Sequence, residues 1–223
     1  SHMNRIRIYD PGMENSLERE WQVLSDVKAA LENDEFTFYA QPQYDISTRK
    51  IVGAEALVRW IHYGKLISPG VFIPILEKNQ SITALDQVVW TKVVAWLHSW
   101  INKGYQPVPI SINISRLDIV TIDVPKYLIN LTDTYQVPKK YLKCEITESA
   151  YAEDGQSVND TVKRLQKAGF QVMMDDFGSG YSSLNTLKSM DVDVLKIDMG
   201  FLEMNIEEEH KGMGILESVV NMA

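Results

Sequence analysis

Two adjacent carboxylates, Asp175 and Asp176, close an apolar run and open a loop of small residues in QVMMDDFGSGYSSL (171–184). Neighbouring acids repel one another, and both stay ionised at neutral pH most readily when cations sit between them. Oxygen-rich ligation of this kind suits hard ions such as Mg²⁺, Mn²⁺ or Ca²⁺ rather than zinc. A plain turn after a strand would also use Asp and Gly, for their own backbone reasons, so the pair needs partners elsewhere. Glu55 in KIVGAEALVRW, Asn113 in PVPISINIS, Glu145 in LKCEITE and Lys196 in VDVLKID are the candidates. Each stands late in a strand-like run, where a purely structural barrel strand would carry a bulky aliphatic.

The elements that must position these groups alternate between strand and helix. Leu17, Trp21, Leu24 and Leu31 recur at helical spacing and predict an amphipathic connector helix from about Asn15 to Glu32, following a turn at Pro11-Gly12. FTFYAQP (36–42) and KIVGAEALVRW (50–60) are separated by a short turn-rich spacer, which predicts an antiparallel hairpin. A helix over about 83–102 follows, with Leu85, Val89, Val93, Trp96 and Trp100 as its core stripe. Then come strand 107–115, a helix near 125–135, strand 142–148, a helix from about Val158 to Ala168 stopped by Gly169, and strand 171–176. A short helix over 182–189, strand 192–198 and a last helix near 209–222 end the order.

Such alternation implies an α/β protein with a mainly parallel sheet, doubly wound or closed into a barrel. Ile110, Ile112 and Ile114 share one strand face and leave Ser111, Asn113 and Ser115 on the other. Leu142, Cys144 and Ile146 oppose Lys143, Glu145 and Thr147 in the same way. An outer face that packs on helices and an inner face that turns polar near the strand ends describe a TIM-like barrel with its site at that end. The 188 residues from Phe36 to Ala223 hold only about six βα units, against about 250 residues for a full barrel. The expectation is therefore an incomplete barrel.

Composition excludes several classes. The formal charge of −8 and the absence of a Lys/Arg block argue against binding to duplex nucleic acid. The single cysteine, Cys144, rules out an intrachain disulfide framework and favours the cytoplasm. No apolar run reaches membrane-spanning length, although a parent protein could be anchored through an upstream segment. His62, His98 and His210 have no zinc-site spacing. Ser1-His2-Met3 reads as a cloning remnant.

Taken in order, EALVRW (55–60), NIS (113–115), EITES (145–149), DDFGSGYSSL (175–184) and KID (196–198) resemble the EAL domain family, phosphodiesterases of cyclic di-GMP. The resemblance runs from about residue 35 to the C-terminus. Residues 4–34 resemble the end of an upstream domain and the join that follows a GGDEF domain in composite GGDEF-EAL proteins. The family implies a variant TIM barrel whose first strand runs antiparallel to the next. It further implies two divalent cations, Mg²⁺ or Mn²⁺ with Ca²⁺ inhibitory, held by Glu55, Asn113, Glu145, Asp175 and Asp176. Lys196 would orient or deprotonate the attacking water, with Glu55, Asp175 and Asp176 completing the catalytic set. Gln41 and Arg59 would bind substrate; Arg59 shares a strand face with Glu55 about 13 Å away at ~3.3 Å per residue. Glu148 would anchor the loop from Phe177 to Ser183, and Asp198 would support Lys196 or nearby backbone.

On this resemblance the parent enzyme would open cyclic di-GMP to linear pGpG and pair as a homodimer through the DDFGSG region. The alternative is a non-catalytic cyclic di-GMP receptor or a regulatory or dimerisation module. The family's later Ala-Glu-Gly-Val-Glu motif and its final Gln strand do not occur before Ala223, so a C-terminally truncated domain with weak or no activity of its own is expected. IHYGKLISP (61–69) also lacks the Pro usual after the family's His and is one residue shorter, which bears on substrate fit there.

Overall fold

Period-two patterning carries directly into the sheet. In β4 (Ile110–Ile114) the three isoleucines are buried, as are Leu142, Cys144 and Ile146 of β5 (Leu142–Thr147). Each of the buried isoleucines and Leu142 contributes about 1.5–3 kcal/mol by leaving water. The structure is a computed structural model and describes residues 11–178 and 191–201. Around β4 and β5 the order is α1 (Pro11–Glu32), β1 (Phe36–Asp45), β2 (Lys50–His62), β3 (Lys65–Ile67), α2 (Pro69–Lys78) and α3 (Ile82–Asn102). After β4 come α4 (Arg116–Thr121) and α5 (Val124–Thr134), and after β5 come α6 (Glu148–Ala168), β6 (Gln171–Phe177) and β7 (Val194–Ile197).

The strands lie in the order β1-β2-β4-β5-β6-β7, with β3 against β2. β1 runs antiparallel to β2, and β2-β4, β4-β5, β5-β6 and β6-β7 are all parallel. Among the described residues this is a mixed α/β fold with a curled half-barrel sheet, TIM-like in its strand order and with a reversed first strand. Among the described residues no helix is long and apolar enough to cross a membrane.

Helices cover the apolar outer face. α3 buries Leu85, Val89, Trp90, Val93, Val94 and Leu97. The expected stripe was rotated slightly: Trp96 is only partly buried and Trp100 is exposed, the two rings lying 4.4 Å apart at the edge of the core. Phe36, Trp60 and Phe72 form a cluster with centroids 5.4–5.7 Å apart, locking β1, β2 and α2 together. α6 stops at Gly169, whose φ of 96° puts it in the left-handed region where a Cβ is costly.

Several boundaries differ from the expectation. Pro11 and Gly12 open α1 rather than forming a turn, because the first helical position tolerates a missing N–H. α6 begins ten residues before Val158, at Glu148, and absorbs a kink at Asp154 (φ −149°, ψ 65°) next to Gly155. β3, α2 and α4 were not anticipated. The helices expected over 182–189 and 209–222 lie outside the described residues.

Candidate active site

The inner face of the sheet gathers carboxylates from three strands around one atom of a fourth. Lys196 Nζ on β7 lies 2.9 Å from Glu55 Oε2, 2.7 Å from Glu145 Oε2 and 2.8 Å from Asp175 Oδ2. These carboxylates each offer an oxygen within 4.8 Å of the others. Register explains the convergence. Parallel pairing of β2 with β4 ends at Glu55↔Ser111, Asn113 stands beside Glu145 in the β4-β5 ladder, and β5-β6 pairing ends at Thr147↔Asp175. Glu55 is mid-strand within the 13 residues of β2, yet it is the last residue that β2 pairs with β4, since beyond it β2 turns to β1 and β3 alone. Asn113 Nδ2 lies 3.3 Å from Glu55 Oε1; turning the amide over would present its oxygen to the same space.

The electrostatics are those of a crowded anionic cup that holds the Lys196 ammonium. Burial raises the Glu145 carboxyl above its ordinary value, and the Lys196 contact partly offsets this. For Lys196, burial alone would lower the pKa, but the hydrogen bonds to Asp175, Glu145 and Glu55 carry it well above the ordinary lysine value. Glu145 Oε1, the oxygen not in contact with Lys196, is buried with no hydrogen-bond partner among the described residues.

Asp176 owes its position to an irregularity. Between Met174↔Leu195 and Phe177↔Ile197 the β6 strand advances three residues while β7 advances two, so an extra residue falls at Asp175-Asp176. A bulge re-aims side chains that would otherwise alternate across the sheet. Asp176 takes φ 57°, its N–H donates to Asp175 Oδ1 at 2.9 Å, and its side chain is exposed outside the three-carboxylate cluster. Burial, then Asp175 and Asp198, raise its pKa. Just beyond, the Gly178 N–H donates to Glu148 Oε2 at 2.9 Å; Glu148 is fully buried at the first turn of α6. Asp198 Oδ1 accepts from the Gly200 N–H at 2.8 Å.

A cavity of about 580 Å³ opens beside the cup, with Arg59 and Asn113 among its walls. Arg59 and Glu55 occupy one face of β2, opposite Thr37 and Gln41 of β1. The Arg59 guanidinium donates to the Val58 carbonyl at 2.8 Å and lies 5.2 Å from the centre of the Tyr39 ring. Gln41 is exposed directly across from Glu55.

A model of the EAL domain matches residues 24–223. The chain belongs to the EAL domain family. It is 28% identical over 217 residues to cyclic di-GMP phosphodiesterase PA2567 of Pseudomonas aeruginosa, covering 96% of this chain and 37% of that protein. It is 34% identical over 175 residues to the probable cyclic di-GMP phosphodiesterase PdeB of Escherichia coli, covering 78% of this chain and 34% of that protein. The solved PaMucR phosphodiesterase in complex with c-di-GMP superposes with a TM-score of 0.80 at 29% identity, over 90% of this chain and 81% of that one. The chain spans between 24% and 37% of the length of eight curated relatives it matches.

This EAL domain also carries an acid that no motif in its sequence marks. Asp86 lies on α3 among its core residues but faces the cavity, as does Glu77. Burial, then the charge and shared hydrogen bond of Asp118 and the charge of Glu77, push the Asp86 carboxyl well above its ordinary 3.8. The folded state thus holds this proton to higher pH than the unfolded chain does, and loses stability as pH climbs above about 4. Asp86→Asn keeps a donor for Asp118 and removes the ionisable proton. In denaturant titrations the variant should match the wild type near pH 4 and exceed it at pH 8, each unit of displacement being worth about 1.4 kcal/mol. Parallel curves at both pH values would show that Asp86 ionises normally.

Proposed function

We propose that this EAL domain forms the catalytic part of a divalent-metal-dependent phosphodiesterase that hydrolyses cyclic di-GMP to linear pGpG. The convergence of Glu55, Glu145 and Asp175, with Asn113 beside them, is the observation that carries the reading. Three carboxylates and a neutral amide suit Mg²⁺ or Mn²⁺, and Glu145 Oε1, without a hydrogen-bond partner among the described residues, fits a ligand role. Glu55, Asn113, Glu145 and Asp175 would hold one ion, while Asp175 and Asp176 would hold a second. When bound, such ions supply Lewis-acid polarisation of the phosphodiester and make the attacking water more acidic.

The remaining work falls to the chain's own groups. Lys196, on a flexible stem, orients the attacking water and holds or releases its proton. Arg59 clamps the distal phosphate with its planar fork, and Gln41, on the same face, steadies the nucleotide nearer Glu55. Glu148 fixes Gly178 and so the start of the loop after Asp176.

The test uses the full-length protein with cyclic di-GMP and Mn²⁺, followed by chromatography. Linear dinucleotide should accumulate and should disappear on chelation. Intact ligand that stays bound through prolonged incubation with metal would reassign the domain to a receptor.

A further inference from the structure

Lys196 occupies the centre of the very group of oxygens that the proposed function assigns to a divalent ion. Its ammonium makes three charge-assisted contacts of 2.7–2.9 Å, each to a different strand. Glu145 has no solvent-exposed side-chain surface and the other two carboxylates are mostly buried. Without a cation the three would repel one another in a poorly screened space, and the strand ends would splay or take up protons. A lysine differs from an arginine here because it is a compact point charge on four methylenes, able to swing away without disturbing β7. The Lys196 side chain is one quarter exposed, so an exit towards solvent exists.

The geometry points to a cation exchange: Lys196 is the resident counter-ion that keeps the cup formed, and a divalent ion binds by displacing its ammonium from Glu55, Glu145 and Asp175. This rests on the proposed metal site and adds to it that metal and lysine compete. The displacement conserves the ligands and simply exchanges one cation for another, with the ammonium moving outward. The same outward movement delivers Lys196 to the position from which it orients water, so the site is armed only when it is loaded.

Competition makes an unusual forecast for a residue of the machinery: removing it tightens metal binding. Lys196→Met should bind Mn²⁺ at least tenfold more tightly than the wild type by calorimetry. In chelator it should melt at a lower temperature, and it should gain more from added Mn²⁺. Lys196→Arg should bind Mn²⁺ more weakly than the wild type, since a guanidinium fills the cup and moves less readily. Glu145→Gln separates the two readings. If Glu145→Gln loses Mn²⁺ binding while Lys196→Met binds no better than wild type, the metal site stands and exchange is overturned. If Glu145→Gln binds as the wild type does, the metal-site reading itself is overturned. Should Lys196→Met fail to fold, the decision passes to the Lys196 ammonium signal in ¹⁵N spectra: protected in chelator and lost with Mg²⁺ if exchange holds, unchanged by Mg²⁺ if it does not.

Discussion

Glu55→Ala should lower the rate of cyclic di-GMP hydrolysis by the full-length protein about a thousandfold, equivalent to about 4 kcal/mol of transition-state stabilisation. The substitution removes an acceptor of Lys196 and the partner of the Asn113 amide at once. It also takes away one of the three carboxylates within reach of a shared ion. Arg59 stays on its half of the strand, so the loss should fall on kcat and leave KM within a few-fold. Because Glu55 faces the cup rather than the core, the melting temperature in chelator should change little or rise, like-charge repulsion having been relieved. Turnover that survives the substitution would remove Glu55 from the reacting centre and with it the two-ion reading.

Trp90→Ala should cost about 3–5 kcal/mol of folding stability, the range for emptying a large aromatic site. For a chain of this size that is a fall in Tm on the order of 10 °C. Trp90 is only 1% exposed, packs edge-on against Tyr127 with centroids 5.7 Å apart, and donates its indole N–H to the Asn113 carbonyl at 2.9 Å. That bond ties the helical layer to the backbone of a proposed ligand. Trp90→Phe keeps most of the ring volume and leaves the carbonyl unpartnered, so it should lose about 1–3 kcal/mol and weaken Mn²⁺ binding measurably. A Trp90→Ala variant less than about 1 kcal/mol below the wild type would show that the indole is not needed to hold α3 on the sheet.

What could be read from the linear chain follows from how local each feature is. β4 and β5 were legible because alternating isoleucines and neighbouring polar residues state which face goes inward. The hairpin of β1 and β2 was legible from its spacer. Glu55, Asn113, Glu145, Asp175 and Lys196 were legible as a set from their places in successive strands, and the structure brings all five to one end of the sheet. β3 and α2 were missed because Pro69, Gly70 and Pro74 are ordinarily breakers, whereas here Phe72 and Leu76 bury against the core and outweigh propensity. Asp86 was hidden by its setting, a single carboxylate among the apolar residues of α3; that very isolation was the clue. The bulge at Asp175-Asp176 was invisible because it is a property of two strands together. The ammonium among three acids could not be read at all, as it depends on the relative heights of β2, β5, β6 and β7.

The unbroken stretch of β2 from Glu55 to Arg59 sets the distance between the two ends of the site. Its ladder with β1 is regular there, from Gln41↔Glu55 to Thr37↔Arg59, and the irregularity of that hairpin comes only at Gln43/Tyr44. Parity therefore governs the gap between the acidic and cationic ends. Inserting one residue would turn the guanidinium to the outer side, and inserting two would lengthen the gap by about 6.6 Å. No intermediate length is available by changing residue number, so finer adjustment to ligands of different span has to come from side-chain reach, with the backbone here acting as a fixed gauge.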